Sequence, residues 1–329
     1  MNFFQEICSI ENILDAWCEF SKGKHQKKDV QEFQLHLMDN ILLLNKDLLS
    51  LKYKHGKYES FNINDPKPRN IHKASVRDRL LHHAIYRVLY PYFDKKFIDD
   101  SYSCRLGKGT HKALNQLKSF INKSSQNNSR RCFVLKCDIR KFFASIDHKV
   151  LEEIVGKSIL DFETGCLIKE VVESFYSFES GKGLPLGNLT SQLLVNIYMD
   201  QFDQYMKHII KTKYYIRYAD DFIVLSHQKE ILTKILEQTQ LFLIEELKLN
   251  LHPNKVFIKT LASGVDFLGW VHFHDHRVLR TTTKRRMFRN LDDNPSKETI
   301  QSYLGLLSHG SAYKLQKRNY KFFETSQAI

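Results

Sequence analysis

Apolar side chains recur at helical spacing through residues 10–50, with Ile13, Trp17 and Phe20 on one stripe and Phe33, Leu37 and Ile41 on another. The pattern predicts two helices separated by the basic segment 22–28, which is either an exposed loop or an RNA contact. Residues 52–72 predict short strands and turns ending in Asp65-Pro66-Lys67-Pro68-Arg69, where two prolines favour a stiff, extended backbone. Over 74–98 the face made by Leu80, Leu81, Ala84, Ile85, Val88 and Leu89 predicts a helix whose regular part closes at Pro91. A helix from about Lys112, a β-rich run over 133–137 ending at Asp138, and helical segments over 151–180 follow. The glycine-containing loop 181–192 leads into a helix carrying Leu193, Leu194, Ile197, Tyr198 and Phe202.

The stretch 214–226 is the most informative. Two runs rich in β-branched and aromatic residues flank a tight turn that carries Asp220 and Asp221. Beyond it, 228–249 predicts one amphipathic helix, 265–271 a short strand in which Gly269 marks a close approach or a bend, and a further helix begins near Glu298. His272, His274 and His276 alternate at period two, which suits one strand face and leaves either an exposed hairpin or a zinc site. From Arg280 the chain turns basic and helical, which predicts a separate helical subdomain.

Composition narrows the partners. A chain of 329 residues with a formal net charge of +13 expects a polyanion. Nucleic acid fits better than a membrane, because no apolar run is long enough to span a bilayer. The six cysteines are scattered without a C-x-x-C pair, and the N-terminal stretch lacks the pattern of a secretory signal. Both point to a reducing cytoplasm.

The candidate chemistry is acidic. Two carboxylates at the tip of a buried hairpin repel each other and are costly to desolvate, and a divalent cation shared with a third carboxylate offsets that cost. Asp138, at the end of its own strand, is the candidate third ligand, and Mg²⁺ suits oxygen donors and phosphates. The alternative is a solvated turn. Asp147 is read as the cap of the next helix. Gly107 and Gly109 flank Lys108 ahead of a helix, but the spacing of a P-loop is absent.

These motifs, taken together and in order, resemble those of a reverse transcriptase over residues 60–320. Asp138-Ile139 followed by Phe143 resembles the first catalytic motif, Tyr218-Ala219-Asp220-Asp221 matches the Y-x-D-D box, and Phe267-Leu268-Gly269 resembles the primer grip. Lys67 and Arg69 fall where the family holds the incoming triphosphate. Most members carry Q-G-x-x-x-S-P before the long palm helix. Here Leu186-Gly187-Asn188-Leu189-Thr190-Ser191-Gln192 resembles the diversity-generating retroelement type, as do Ser302-Tyr303-Leu304-Gly305 and the compact length without maturase extension or endonuclease.

The resemblance implies an α+β right-hand polymerase. Its parts would be an N-terminal helical extension (1–50), fingers with part of the palm (51–135), a palm of antiparallel sheet packed on helices (136–275) and a helical thumb (276–329). It implies two Mg²⁺ ions, with Mn²⁺ as a substitute, held by Asp138 and Asp220, assisted by Asp221 and completed by the Ile139 carbonyl. Lys67 and Arg69 would neutralise phosphate charge. Lys255 would be a proton donor to pyrophosphate or a plain surface lysine. Phe143 would lie under the sugar and select deoxynucleotides or simply pack in the core. Leu186 and Gly187 would sit beside the incoming nucleotide; Arg105, Gln192, Phe267, Leu268 and Gly269 would contact primer and template. Implied partners are a structured template RNA, the cDNA/RNA duplex, dNTPs and a small basic accessory protein. Three roles stay open: error-prone copying at template adenines in a retroelement, antiphage defence with a dedicated noncoding RNA, and a catalytically silent RNA-binding scaffold.

Overall fold

The computed structural model describes residues 2–64, 68–293 and 296–318. The chain opens with α1 (Phe3–Cys8) and α2 (Ile10–Ser21), each started by a side-chain cap: Asn2 accepts from the Gln5 amide and Ser9 from the Asn12 amide. Ile13, Ala16, Trp17 and Phe20 of α2 are buried, as their spacing predicts. The second predicted helix is in fact two, α3 (Lys28–Leu35) and α4 (Leu37–Leu49), broken at His36. An antiparallel hairpin, β1 (Glu59–Ile63) and β2 (Arg69–Lys73), leads to α5 (Val76–Asp94), which Ser75 caps. Pro91 lies inside α5 rather than closing it, because burial of Leu89, Tyr90 and Phe93 carries the helix past the missing N–H.

Then come α6 (Thr110–Ser124), β3 (Phe133–Asp138), the single turn α7 (Phe142–Ser145), α8 (His148–Ser158), α9 (Phe162–Glu173) and α10 (Leu189–Gln204). Asp147 caps α8 through the Val150 amide at 3.1 Å. The acidic hairpin is β4 (Tyr215–Tyr218) and β5 (Asp221–Ser226), followed by α11 (Lys229–Glu245) and β6 (Phe257–Thr260). The 265–271 segment is a hairpin, not one bent strand. β7 (Val265–Phe267) and β8 (Trp270–His272) pair across a turn at Leu268 and Gly269, both at positive φ, and β9 (Arg277–Leu279) completes a three-stranded sheet. Of the three alternating histidines only His272 is therefore in a strand, since the chain reverses between β8 and β9. Helices α12 (Thr281–Asp293) and α13 (Lys297–Leu307) follow.

The central sheet is antiparallel in the order β4-β5-β3-β6. Alternation along β3 divides the core in two. Leu135 and Cys137 join the larger cluster with α5, α8, α10 and α11. Val134 faces the other way, into a cluster with Leu114 and Leu117 of α6 and with Phe267 and Trp270. Among the described residues no helix is long and apolar enough to cross a membrane.

Candidate active site

The site forms where β3 ends against the turn of the β4–β5 hairpin. Asp138 pairs with Asp221 across the strands, so their Cβ atoms stand about 4.5–5.5 Å apart. The Ile139 amide donates to the Asp220 carbonyl oxygen at 3.1 Å, tying the third acid to the same strand end. The turn puts Ala219 in the left-handed region (φ 55°), which its unbranched Cβ enters with less strain than a β-branched or bulky side chain would. From the other side, the His252 amide donates to the Asp138 carbonyl oxygen at 2.7 Å. Thus Asp138 and the Asp220–Asp221 pair, more than eighty positions apart along the chain, occupy one corner of the sheet.

Two of these carboxylates are held by ammonium groups. Lys255 Nζ donates to Asp138 Oδ1 at 2.8 Å, and Lys136 Nζ lies 3.0 Å from Asp221 Oδ2. Burial pushes the Asp221 carboxyl up to about 7, against the pull of Lys136 and with a further push from Asp220 and Asp138. Its other oxygen, Oδ1, is buried without a hydrogen-bond partner. An orphaned carboxylate oxygen beside two more acids fits a divalent cation. Among the described residues, however, no three His, Cys, Asp or Glu side chains stand as a ready-made metal cage. Binding a cation here requires the lysines to yield or the carboxylates to turn.

Beneath the turn lies an ion pair that sequence reasoning missed. Arg217 and Asp203, both essentially unexposed, join through Nε–Oδ1 at 2.8 Å and Nη2–Oδ2 at 2.7 Å. Arg217 Nη1 then donates to the Ala219 carbonyl oxygen at 3.0 Å, fixing the turn that presents Asp220. A charge inside a run of buried strand residues was the available signal. Lys136 was a second such signal: besides Asp221, its Nζ reaches the Asp266 carbonyl oxygen at 2.6 Å, linking the acids to the Phe267-Leu268-Gly269 hairpin.

The remaining predicted residues fall in several places. Leu186 and Gly187 pack against β2: the His72 amide donates to the Leu186 carbonyl oxygen at 3.2 Å, and a Cβ on Gly187 would meet Ile71 at 3.1 Å. A cavity of about 370 Å³ lies there, lined by Ile71, Gly187 and Gln192 with Lys24 and Arg79 on its wall. Arg69 is exposed on β2, and Lys67 lies outside the described residues. Phe143 is half-buried, edge-on to Phe142. Phe267 is fully buried, with Leu268 and Gly269 at the turn beyond it. Arg105, read as a primer or template contact, is 6% exposed at its side chain. Its guanidinium turns inward to Asp94 Oδ1 (2.7 Å) and to the carbonyl oxygens of Ile98 and Ser101.

An antiparallel palm-like sheet flanked by helices, with acids at one corner, is a right-hand polymerase fold. Apo telomerase from Candida tropicalis truncated from its C-terminal domain has a similar fold (TM-score 0.53, 12% identity, 74% of this chain and 60% of that one). Residues 56–272 match the family described as Reverse transcriptase (RNA-dependent DNA polymerase), and the chain belongs to that family. It is 23% identical to Protein YkfC of Escherichia coli over 304 residues, 80% of this chain and 78% of that one. It is 24% identical to the Group II intron-encoded protein LtrA of Lactococcus lactis over 290 residues, spanning 68% of this chain but only about half (47%) of LtrA.

Proposed function

We propose that this chain copies a structured RNA into cDNA by nucleotidyl transfer at the Asp138, Asp220 and Asp221 corner. The observation that carries the reading is the cross-strand register that brings Asp138 opposite Asp221, with Asp220 bonded to the next residue along β3. Asp138 and Asp220 would hold divalent cations, with Asp221 and the Ile139 carbonyl in support. Such ions, once bound, activate a primer 3′-hydroxyl and neutralise the triphosphate. Arg69 grips triphosphate oxygens from the β1–β2 side, and Lys67 adds a second cation to the same role. Phe143 stands beneath the sugar and disfavours a 2′-hydroxyl. Lys255 passes a proton to departing pyrophosphate, a role its ion pair with Asp138 supports. The fingers (51–135), palm (136–275) and thumb (276–329) divide the chain accordingly, after an N-terminal helical extension.

Within this activity we assign the retroelement type, with error-prone copying opposite template adenine and a small basic accessory protein as partner. The support is the Leu186-Gly187 loop, where an aliphatic side chain stands in place of a hydrogen-bonding glutamine and weakens discrimination between pairs. The test is dNTP incorporation on primed RNA. Asp138→Asn and Asp220→Asn should each lose activity by at least about a hundredfold, and full retention by Asp220→Asn ends the assignment. Leu186→Gln should lower misincorporation at template adenine; equal error rates in sequenced cDNA refute the retroelement reading alone.

A further inference from the structure

Where α6, the β8–β9 turn and the segment after α13 meet, there is a cavity of about 290 Å³. Lys118, His272, His274, Asp275, Arg277 and His309 are on its wall, and none of the three acids of the active site is. Arg277 is the anomaly. Its Nε donates to the His309 carbonyl oxygen and its Nη2 to Asn115 Oδ1 at 3.2 Å, both neutral acceptors. Its Nη1 is buried with no partner, and among the described residues Arg277 makes no ion pair. Asp275 does not supply the counter-charge, because it is taken by His276 Nδ1 at 2.7 Å. Trp270 lies against the guanidinium, 5.8 Å from ring centre to Cζ, and fixes its plane.

The other walls add two imidazoles and an ammonium beside the one carboxylate, Asp275. His272 is only 2% exposed and its Nε2 is unpartnered, as is Nδ1 of His274. Lys118 brings a second positive charge. Arg277 is half-buried and has no carboxylate partner among the described residues, and its buried, unpaired Nη1 carries a desolvation cost that an anion would offset. A metal ion does not answer this arrangement, since among the described residues no three ligating side chains are grouped to hold one. A tetrahedral oxyanion does: its oxygens accept from a guanidinium fork, an ammonium and an imidazole at once.

We propose that this cavity is a phosphate-binding site, separate from the catalytic corner, with Arg277 and Lys118 as its charged donors and the imidazoles of His272 and His274 beside them. The phosphate belongs either to the backbone of a nucleic-acid strand or to a free anion. The inference does not rest on the proposed reaction, because the two sites share no residue.

The full chain is titrated in magnesium-free buffer with inorganic phosphate and, separately, with a short RNA lacking terminal phosphates, using calorimetry. Arg277→Gln and Lys118→Ala should each weaken binding by about tenfold or more, the loss of one charge-assisted hydrogen bond. A loss confined to the RNA assigns the site to a strand backbone, and a loss confined to inorganic phosphate assigns it to a free anion. Unchanged affinity for both ligands in both variants overturns the proposal. Should Arg277→Gln fail to fold, Lys118→Ala and His274→Ala decide by the same readout.

Discussion

At the scale of single residues, Lys255 and Lys136 decide what the acids of the site do before any substrate arrives. The Lys255 side chain is 43% exposed, so its pair with Asp138 is worth about 0.2–1 kcal/mol after solvent screening. That is enough to compete with a cation for the same oxygen by up to about fivefold. Lys255→Met should therefore lower the magnesium concentration giving half-maximal incorporation by a few-fold, while slowing the step at saturating magnesium. A magnesium titration of primer extension reads both effects, and an unchanged midpoint means that the lysine does not compete. Both lysines were visible in the sequence, and Lys255 was already a candidate. Their carboxylate partners were not, because Asp138 lies 117 positions from Lys255 and sequence spacing carries no information over that interval.

At the scale of elements, the β4–β5 hairpin depends on what lies under it. Removing Arg217 leaves Asp203 as an uncompensated buried charge, and removing Asp203 strands the guanidinium. Either Arg217→Met or Asp203→Ala should cost about 3–5 kcal/mol in urea unfolding. A loss near that of an exposed pair would show the network to be solvated. The end of the helical region offers a second case. Gly310 packs so closely on Trp270 that an added Cβ would lie 2.0 Å from the ring. Gly310→Ala should destabilise the protein by about 1–3 kcal/mol and alter tryptophan fluorescence; native emission and melting would contradict the close approach. Strand β3, the acidic hairpin, α10 and the Asp147 cap were all legible, because periodicity and capping are local. The break at His36, the passage of α5 through Pro91 and the turn at Leu268 were not, because packing overrode local preference.

Across the whole molecule, histidines buried in separate regions share one consequence. Burial lowers His82 to about 3, His83 to about 4 and His272 to about 3. Each is neutral in the folded protein, while the unfolded chain takes up protons near 6.5. Stability from these groups is complete above pH 6.5 and drains away as pH falls towards 4. Melting temperature should accordingly decline between pH 6.5 and 4, and less steeply in His82→Gln. A flat profile across that window would place these rings in water.

What the sequence by itself determined was most of the helices and strands and the order of the motifs: an apolar face repeats every two or every 3.6 residues whatever it packs against. It also determined the basic balance, which belongs to the chain rather than the fold. Only the tertiary structure decided which carboxylates meet, which lysines answer them, that Arg105 turns inward, and that Arg277 faces a cavity whose one acid, Asp275, is paired with His276. A shift of one residue between β3 and β5 would send Asp138 and Asp221 to different neighbours while leaving every local pattern intact, and that register is chosen by burial on both faces of the sheet.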